Sequence, residues 1–388
     1  MGKRTNIRWR SWLLMVAVLA LVGTACATGT STTTAAPAAS TTTAAPAATT
    51  TAAPAATTTA APGETTAVVD KAVTKVAIAT PEEPVDFGWN QQGVEGAQAA
   101  AAAAGVEIEV AGGLGYDAPT QTLRQLAETA NLIYAHASGF GDSAKEVAVE
   151  TGVPVIVYSS PDAREPGVAA FVGTSAEEGG YLAGILAAET TKTGTLGIVI
   201  SADDFNWNRH SGGFVAGACS VNPSIKILLV QIGEAAYGDV EGGTRVTESV
   251  IAGGADVILG NGDGSSFGMM RAVETADPPP GADKVWFIDV IGDKTSLDKD
   301  NVLLSSILWD FEPTYLQAIK DVDAGIFGDK NYVLNLATGG IGLLRTQNIS
   351  DALWTEIETA KAGIIDGTIK VPAVETRAEV ETLIGCGA

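Results

Sequence analysis

The chain has 388 residues, with 23 Lys plus Arg against 45 Asp plus Glu, and a formal net charge of −22. A surface this acidic repels phosphate backbones and anionic lipid, which excludes nucleic-acid binding by bulk charge, and a 46 % hydrophobic composition excludes disorder throughout. Only 6 % of residues are aromatic, so a Trp or Phe outside a core pattern merits inspection.

Lys3, Arg4, Arg8 and Arg10 open the chain; without them the balance is 19 − 45 = −26. Trp12 to Val22 is an apolar run of eleven residues, too short for the roughly 20 that a membrane-spanning helix needs. Gly23-Thr24-Ala25-Cys26 follows at once. Basic, apolar and small residues ending in Cys resemble a bacterial lipobox, which makes 1–25 a signal peptide and Cys26 the lipid-bearing thiol. Gly23 stands where that motif usually has Leu, and an ordinary secretory peptide is the alternative. Residues 26–70 are almost entirely Thr, Ala and Pro, with Pro37, Pro46, Pro54 and Pro62 at near-regular spacing. Such a segment cannot bury enough apolar area to fold. At ~3.1 Å per residue in polyproline II, 40 residues reach on the order of 100 Å, as a stalk on the outer face of the cell membrane would.

From about Ala72 short apolar strands alternate with helices. Strands are predicted at 76–79, 107–110, 132–135, 154–158, 169–172, 196–200, 225–231, 257–259 and 285–289. Helices are predicted at 91–104, 120–130, 143–150 and 176–190. This alternation predicts parallel sheets covered on both faces, and so many strands predict two Rossmann-like lobes. Cys219 and Cys386 remain after Cys26; in an oxidising compartment a disulfide is open to them, as is a buried thiol at Cys219. There is no CxxC and no Cys/His cluster, so neither a metal nor a cofactor is expected.

Motifs that suggest chemistry fail on context. Gly264-Ser265-Ser266-Phe267-Gly268 matches GxSxG after a strand, but a nucleophile elbow needs a later His, and His136 and His210 both precede it. Gly139-Phe140-Gly141-Asp142-Ser143-Ala144 matches GxGxxA at a third βα turn, without the acidic residue that ends the next strand of a dinucleotide site. The two His read as one buried and one on the surface. No catalytic residue is expected. What recurs is polar, Gly or aromatic residues at the carboxyl ends of strands, where open α/β sheets bind ligands. Trp89 and Trp207 read as loop residues and Trp309 follows a strand; flat rings from two lobes can sandwich a flat ligand, at ~1 kcal/mol per stack. Asn90, Asp142 and Asp263 offer donors and acceptors beside them.

From about Lys75 to Pro372 the chain resembles the basic membrane protein (BMP) family of ABC-transporter substrate-binding lipoproteins, nearest its purine base and nucleoside branch. The resemblance rests on an ordered set: Asp86-Phe87-Gly88-Trp89-Asn90-Gln91 with Glu95-Gly96, then Gly139-Phe140-Gly141-Asp142 and Gly180-Tyr181-Leu182-Ala183-Gly184. Phe214-Val215-Ala216-Gly217-Ala218, Val221-Asn222-Pro223 and Gly254-Ala255-Asp256-Val257-Ile258 complete it. It implies an α/β fold of the type I periplasmic-binding-protein class, a clamshell with three crossovers. The implied lobes are 71–174 with 309–328 and 175–308 with 329–372, followed by a tail at 373–388.

The resemblance also implies that Trp89 stacks on a purine beside Asn90, Phe140 and Asp142. Trp207, Asp263, Asp293 and Trp309 complete the expected set. Ile291 stands where the family usually has a ribose-binding Asp, and the Lys found in many nucleoside binders is absent, which weakens a nucleoside assignment and favours a free base or a different heteroaromatic. The expected partners are a small-molecule ligand and the permease and ATPase subunits of an ABC importer; the protein is expected to be a monomer. A sugar binder on the same fold, kept open by Asn208 and Arg209, and a sensor receptor without a permease are the rival readings.

Overall fold

The structure, a computed structural model, describes residues 72–117 and 119–386. The predicted signal peptide, Cys26 and the tether lie outside them.

The first run of the chain is β1 (Lys75–Ala79), α1 (Trp89–Ala104), β2 (Glu107–Ala111), α2 (Thr120–Ala127), β3 (Leu132–Ala135), α3 (Gly141–Thr151), β4 (Val155–Tyr158) and β5 (Ala169–Thr174). The second is α4 (Ala176–Thr190), β6 (Thr195–Ile200), α5 (Phe205–Val221), β7 (Lys226–Gln231), α6 (Val240–Ala252), β8 (Val257–Asn261), α7 (Ser265–Thr275), β9 (Trp286–Ile291) and β10 (Leu303–Trp309). Then come α8 (Glu312–Asp323), β11 (Tyr332–Leu334), β12 (Ile341–Leu343), α9 (Asp351–Ile365) and α10 (Arg377–Leu383).

Two six-stranded sheets result, in the orders β11-β5-β4-β3-β1-β2 and β12-β10-β9-β8-β6-β7. Every pairing is parallel except β10 with β12. The central strands β3, β4 and β8 are buried along their whole length, whereas the edge strands β2 and β7 are partly exposed. Helices on both faces therefore select uninterrupted apolar runs at the centre and mixed composition at the edges. The Ala-rich α1 ends where Gly105 takes a left-handed conformation (φ +70°) and donates its N–H to Ala101 and Ala102.

The chain passes between lobes three times: from β5 to α4, from β10 to α8, which packs on α1, and from β11 to β12. Two expected boundaries shift. Tyr332–Leu334 pairs with β5 and so extends the first sheet, not the second. Trp309 ends β10 in the second sheet, not in the first lobe. Three-residue edge strands carry too little pattern to assign from sequence.

Helices α4 and α5 are in backbone contact. A Cβ added at Gly180, Gly184, Gly213 or Gly217 would fall within 2.2 Å of a carbonyl oxygen of the facing helix. The tail adds a second restraint. Cys219 in α5 is disulfide-bonded to Cys386 just beyond α10, closing the choice left open by the sequence. Glu375 and Arg377 reach Arg209 and Asp203 at the start of α5. The element that begins at the cleft is thus held along its length.

Candidate ligand-binding cleft

The carboxyl ends of the strands of both sheets face one cavity of about 210 Å³. From the first lobe it takes Trp89 after β1, Tyr116 after β2, Ser138 after β3, and Tyr158 and Ser159 at the end of β4. From the second it takes Asp204 to Trp207 after β6, Tyr237 after β7, Asp263 after β8, Ile291 ending β9 and Trp309 ending β10. In each sheet the strand order reverses at the first strand, between β1 and β3 and between β6 and β8. These are the topological switch points at which open α/β sheets hold ligands.

Trp89 is the first residue of α1. One face of its indole stacks on His136, with centroids 3.9 Å apart and planes 17° apart, and its Nε1–H donates to the His136 carbonyl at 3.2 Å. Tyr158 and Phe311 meet it edge-on at 4.3 and 5.5 Å. His136 is itself fixed. Its Nε2 lies 3.0 Å from the Trp89 carbonyl, which can only accept, so Nε2 carries the proton and Nδ1 accepts from Tyr315 Oη at 2.7 Å. Burial pushes its pKa down to about 4, against a smaller opposing effect of the Trp89 carbonyl, so the ring is neutral. Gly93 makes room for it: a Cβ there would lie 2.3 Å from Nε2.

Trp309 is held by an equivalent relay. Its Nε1–H donates to His210 Nε2 at 3.2 Å, and His210 Nδ1–H donates to Asn261 Oδ1 at 3.0 Å. Burial lowers the His210 pKa to about 3. Both His are therefore fully buried, a correction to the expectation of one on the surface; each orients a cleft Trp. Trp207 sits in the first turn of α5 rather than in a loop, because Asp204 caps that helix by accepting from the N–H groups of Asn206 and Trp207. Its indole N–H donates to Ser201 Oγ at 2.9 Å.

Of the residues that line the cavity, two on opposite lobes carry a buried polar side-chain atom without a hydrogen-bond partner among the described residues: Ser159 Oγ and Asp263 Oδ1. Burial, reinforced by Asp86 and opposed by Lys294, raises the Asp263 pKa to about 7. Asp204 is also raised, again by burial first. Strain gathers here too: Phe87, Ser159 and Ile291 are non-Gly residues at φ +51°, +51° and +70°, which such residues hold only when their surroundings impose it. The lobes touch at the cleft, where Phe87 O packs against Gly292.

The GxSxG serine has no access to this cavity's chemistry. Ser266 Oγ lies 2.9 Å from both the Gly262 carbonyl and Asp289 Oδ1, and Asp289 is ion-paired with Lys294 at 2.5 Å. All three side chains are fully buried, so Ser266 serves as a structural donor.

The sequence profile of the Bmp family, described as ABC transporter substrate-binding protein PnrA-like, matches residues 73–375. The chain belongs to the Bmp family. Among relatives of this Bmp-family chain, the CD4+ T-cell-stimulating antigen of Listeria monocytogenes is 29 % identical over 257 residues, 62 % of this chain and 70 % of that protein. The ABC transporter nucleoside-binding protein BmpA of Lactococcus lactis is 30 % identical over 206 residues, 50 % of this chain and 58 % of that one. An ABC-transporter solute-binding protein from Conexibacter woesei superposes with a TM-score of 0.66 at 22 % identity, covering 77 % of this chain and 99 % of that one, which shows the shared clamshell fold.

Of the residues expected from the sequence to contact ligand, Trp89, Trp207, Asp263 and Trp309 line the cavity; Asn90, Phe140, Asp142 and Asp293 do not. Asn90 is buried and braces the preceding loop, donating to Asp86 Oδ2 at 2.8 Å and accepting from the Glu82 N–H at 3.3 Å. Phe140 lies in the first-lobe core. Asp142 and Asp293 are exposed, the first on the opening turn of α3 and the second accepting from Thr295 N–H at 2.8 Å. Sequence reasoning missed Tyr116, Tyr158, Ser159, Asp204 and Tyr237. A Tyr that ends an apolar strand carries no signal of its own; only its place at a carboxyl end could have marked Tyr158. Among the described residues, no helix is long and apolar enough to cross a membrane.

Proposed function

We propose that this chain is the extracytoplasmic solute receptor of an ABC importer and that its ligand is a flat nitrogen heterocycle, in the first instance a free purine base. The observation that carries the reading is the Trp89 indole, backed on one face by His136 and set in a cavity that Trp207 and Trp309 line from the other lobe. A rigid aromatic face needs no reorganisation to stack a planar ring. The volume of about 210 Å³ falls below the ~300–1,000 Å³ of drug-sized sites, which suits a base better than a nucleoside. Ile291 at the cavity wall offers no hydroxyl-binding group for ribose. The BmpA relative, named for nucleoside binding, supports the ligand class.

The work is binding, not bond-making. A ligand that contacts both lobes favours the state in which they meet, by its differential affinity for that state. We place the receptor on the outer face of the membrane, lipidated at Cys26, on a 26–70 stalk that lets it reach a permease. A thermal-shift panel of purine bases, nucleosides and sugars tests the ligand class. A base at 100 times its Kd stabilises the chain by ~2.7 kcal/mol, a rise of about 5 °C; a response to sugars alone overturns the reading.

Closure has its own test. A Cβ at Gly292 would lie 2.1 Å from Phe87 O in the other lobe. Overpacking costs ~1–3 kcal/mol, and here the cost falls only on the state in which the lobes touch. Gly292→Ala is therefore expected to weaken ligand binding about tenfold or more while leaving the unliganded melting temperature unchanged. Unchanged affinity by calorimetry would show that this contact is not part of the bound state.

A further inference from the structure

We infer that the cleft selects a positively charged heterocycle, which pairs with Asp263 while its ring lies among the cleft Trp residues. This rests on the heterocycle reading above and adds a charge to it. Among the described residues, no Lys, Arg or His lines the cavity. The lining polar groups include two carboxylates, Asp204 and Asp263, and the phenols of Tyr116, Tyr158 and Tyr237. Asp204 is already occupied, accepting from two backbone N–H groups and from Tyr237 Oη at 3.3 Å. Asp263 is not: its Oδ1 is buried, has no partner among the described residues and lines the cavity. Lys294 acts on Asp263 but is ion-paired at 2.5 Å with Asp289. Trp faces attract cations most strongly of the aromatic side chains. A neutral base engages the aromatic walls but leaves the Asp263 carboxylate without a counter-charge. A cation satisfies both.

Phosphorylated ligands are disfavoured by the same arrangement, since a phosphate would meet two carboxylates and no cationic side chain among the described residues. The surroundings also fix the pH response. Asp263 faces Asp86 and Glu82 from the loop after β1, Asp204 from the loop after β6, and Lys294 after β9. Tyr116 and Tyr237 line the same cavity, and their phenols are pushed up and stay neutral. The acid is raised to about 7, so it is largely protonated at pH 6 and ionised at pH 8. A cation binds the ionised form, so its affinity rises with pH, by about tenfold between pH 6 and pH 8.

The test uses two matched pairs of probes on the purified full chain. 9-Methyladenine is neutral and 1,9-dimethyladenine is a cation; nicotinamide is neutral and 1-methylnicotinamide is permanently charged. In each pair the cation is expected to bind about tenfold or more tighter, and Asp263→Asn is expected to erase that preference. The pH arm uses 1-methylnicotinamide, which does not titrate. The wild-type comparison stands alone if the variant fails to fold. If neutral 9-methyladenine binds as well as or better than its cation, the charge inference falls and the purine reading stands. If 1-methylnicotinamide binds tighter than nicotinamide while neither adenine binds, the purine reading falls and the charge inference stands. If no probe binds, or Asp263→Asn keeps the full preference, the inference is overturned.

Discussion

Trp89→Ala is expected to weaken capture of a purine base by about 2–3 kcal/mol, on the order of a hundredfold in Kd, without unfolding the protein. The loss is large because the indole is prepaid in rigidity: His136 covers one face at 3.9 Å, its N–H is bonded to the His136 carbonyl, and Tyr158 and Phe311 fix its edges. Truncation removes the stacking surface and leaves the His136 ring facing the cavity. The fold tolerates the change because Trp89 is only partly buried, at the first position of α1 rather than in its interior. Trp89→Phe should recover part of the affinity, since a smaller flat ring keeps the geometry. Calorimetry of both variants beside their circular dichroism spectra checks this. Wild-type affinity in a folded Trp89→Ala would remove the stack from the account.

Loss of the Cys219–Cys386 disulfide is expected to have the largest effect on stability. It closes a loop across 167 residues, and removing a cross-link of that span typically costs ~2–4 kcal/mol through the entropy returned to the unfolded chain. The bond adds to the packing contacts of the tail. Val374 fills the space beside Gly212, and Val380 is fully buried. The Arg377 backbone N–H donates to Asp203 at 3.1 Å. The double variant Cys219→Ala/Cys386→Ala should melt about 5–10 °C lower, and reductant should lower the wild type by a similar amount while leaving the variant unmoved. Equal melting temperatures for oxidised wild type and variant would show that the tail is held by packing alone.

Much of the fold could be read from local pattern because parallel strands buried on both faces must be unbroken apolar runs. Val155 to Tyr158 and Leu132 to Ala135 are of that kind, and each was expected within a residue of its place. β11 and β12 were not expected, being three residues long with Val333 exposed. At the cleft, the Trp residues stood out because they break the apolar pattern. The partners that orient them could not be seen: His136 is 47 residues from Trp89 and His210 is 99 from Trp309, so only the topology brings them together. Motif resemblance misled at Asp142 and Asp293. Each follows a residue whose backbone sets its direction, and a helix that starts at Gly141 turns Asp142 out to solvent. Asp263 was expected as a ligand contact from its place after a strand; its missing partner and raised pKa belong to the assembled cleft alone.

The most direct measurement is isothermal titration of the purified chain with adenine, guanine and hypoxanthine, their ribonucleosides, and ribose and glucose. One site per chain is expected for at least one free base, bound at least as tightly as its nucleoside, with no heat from either sugar. Saturable binding of a sugar with none from any base would contradict it.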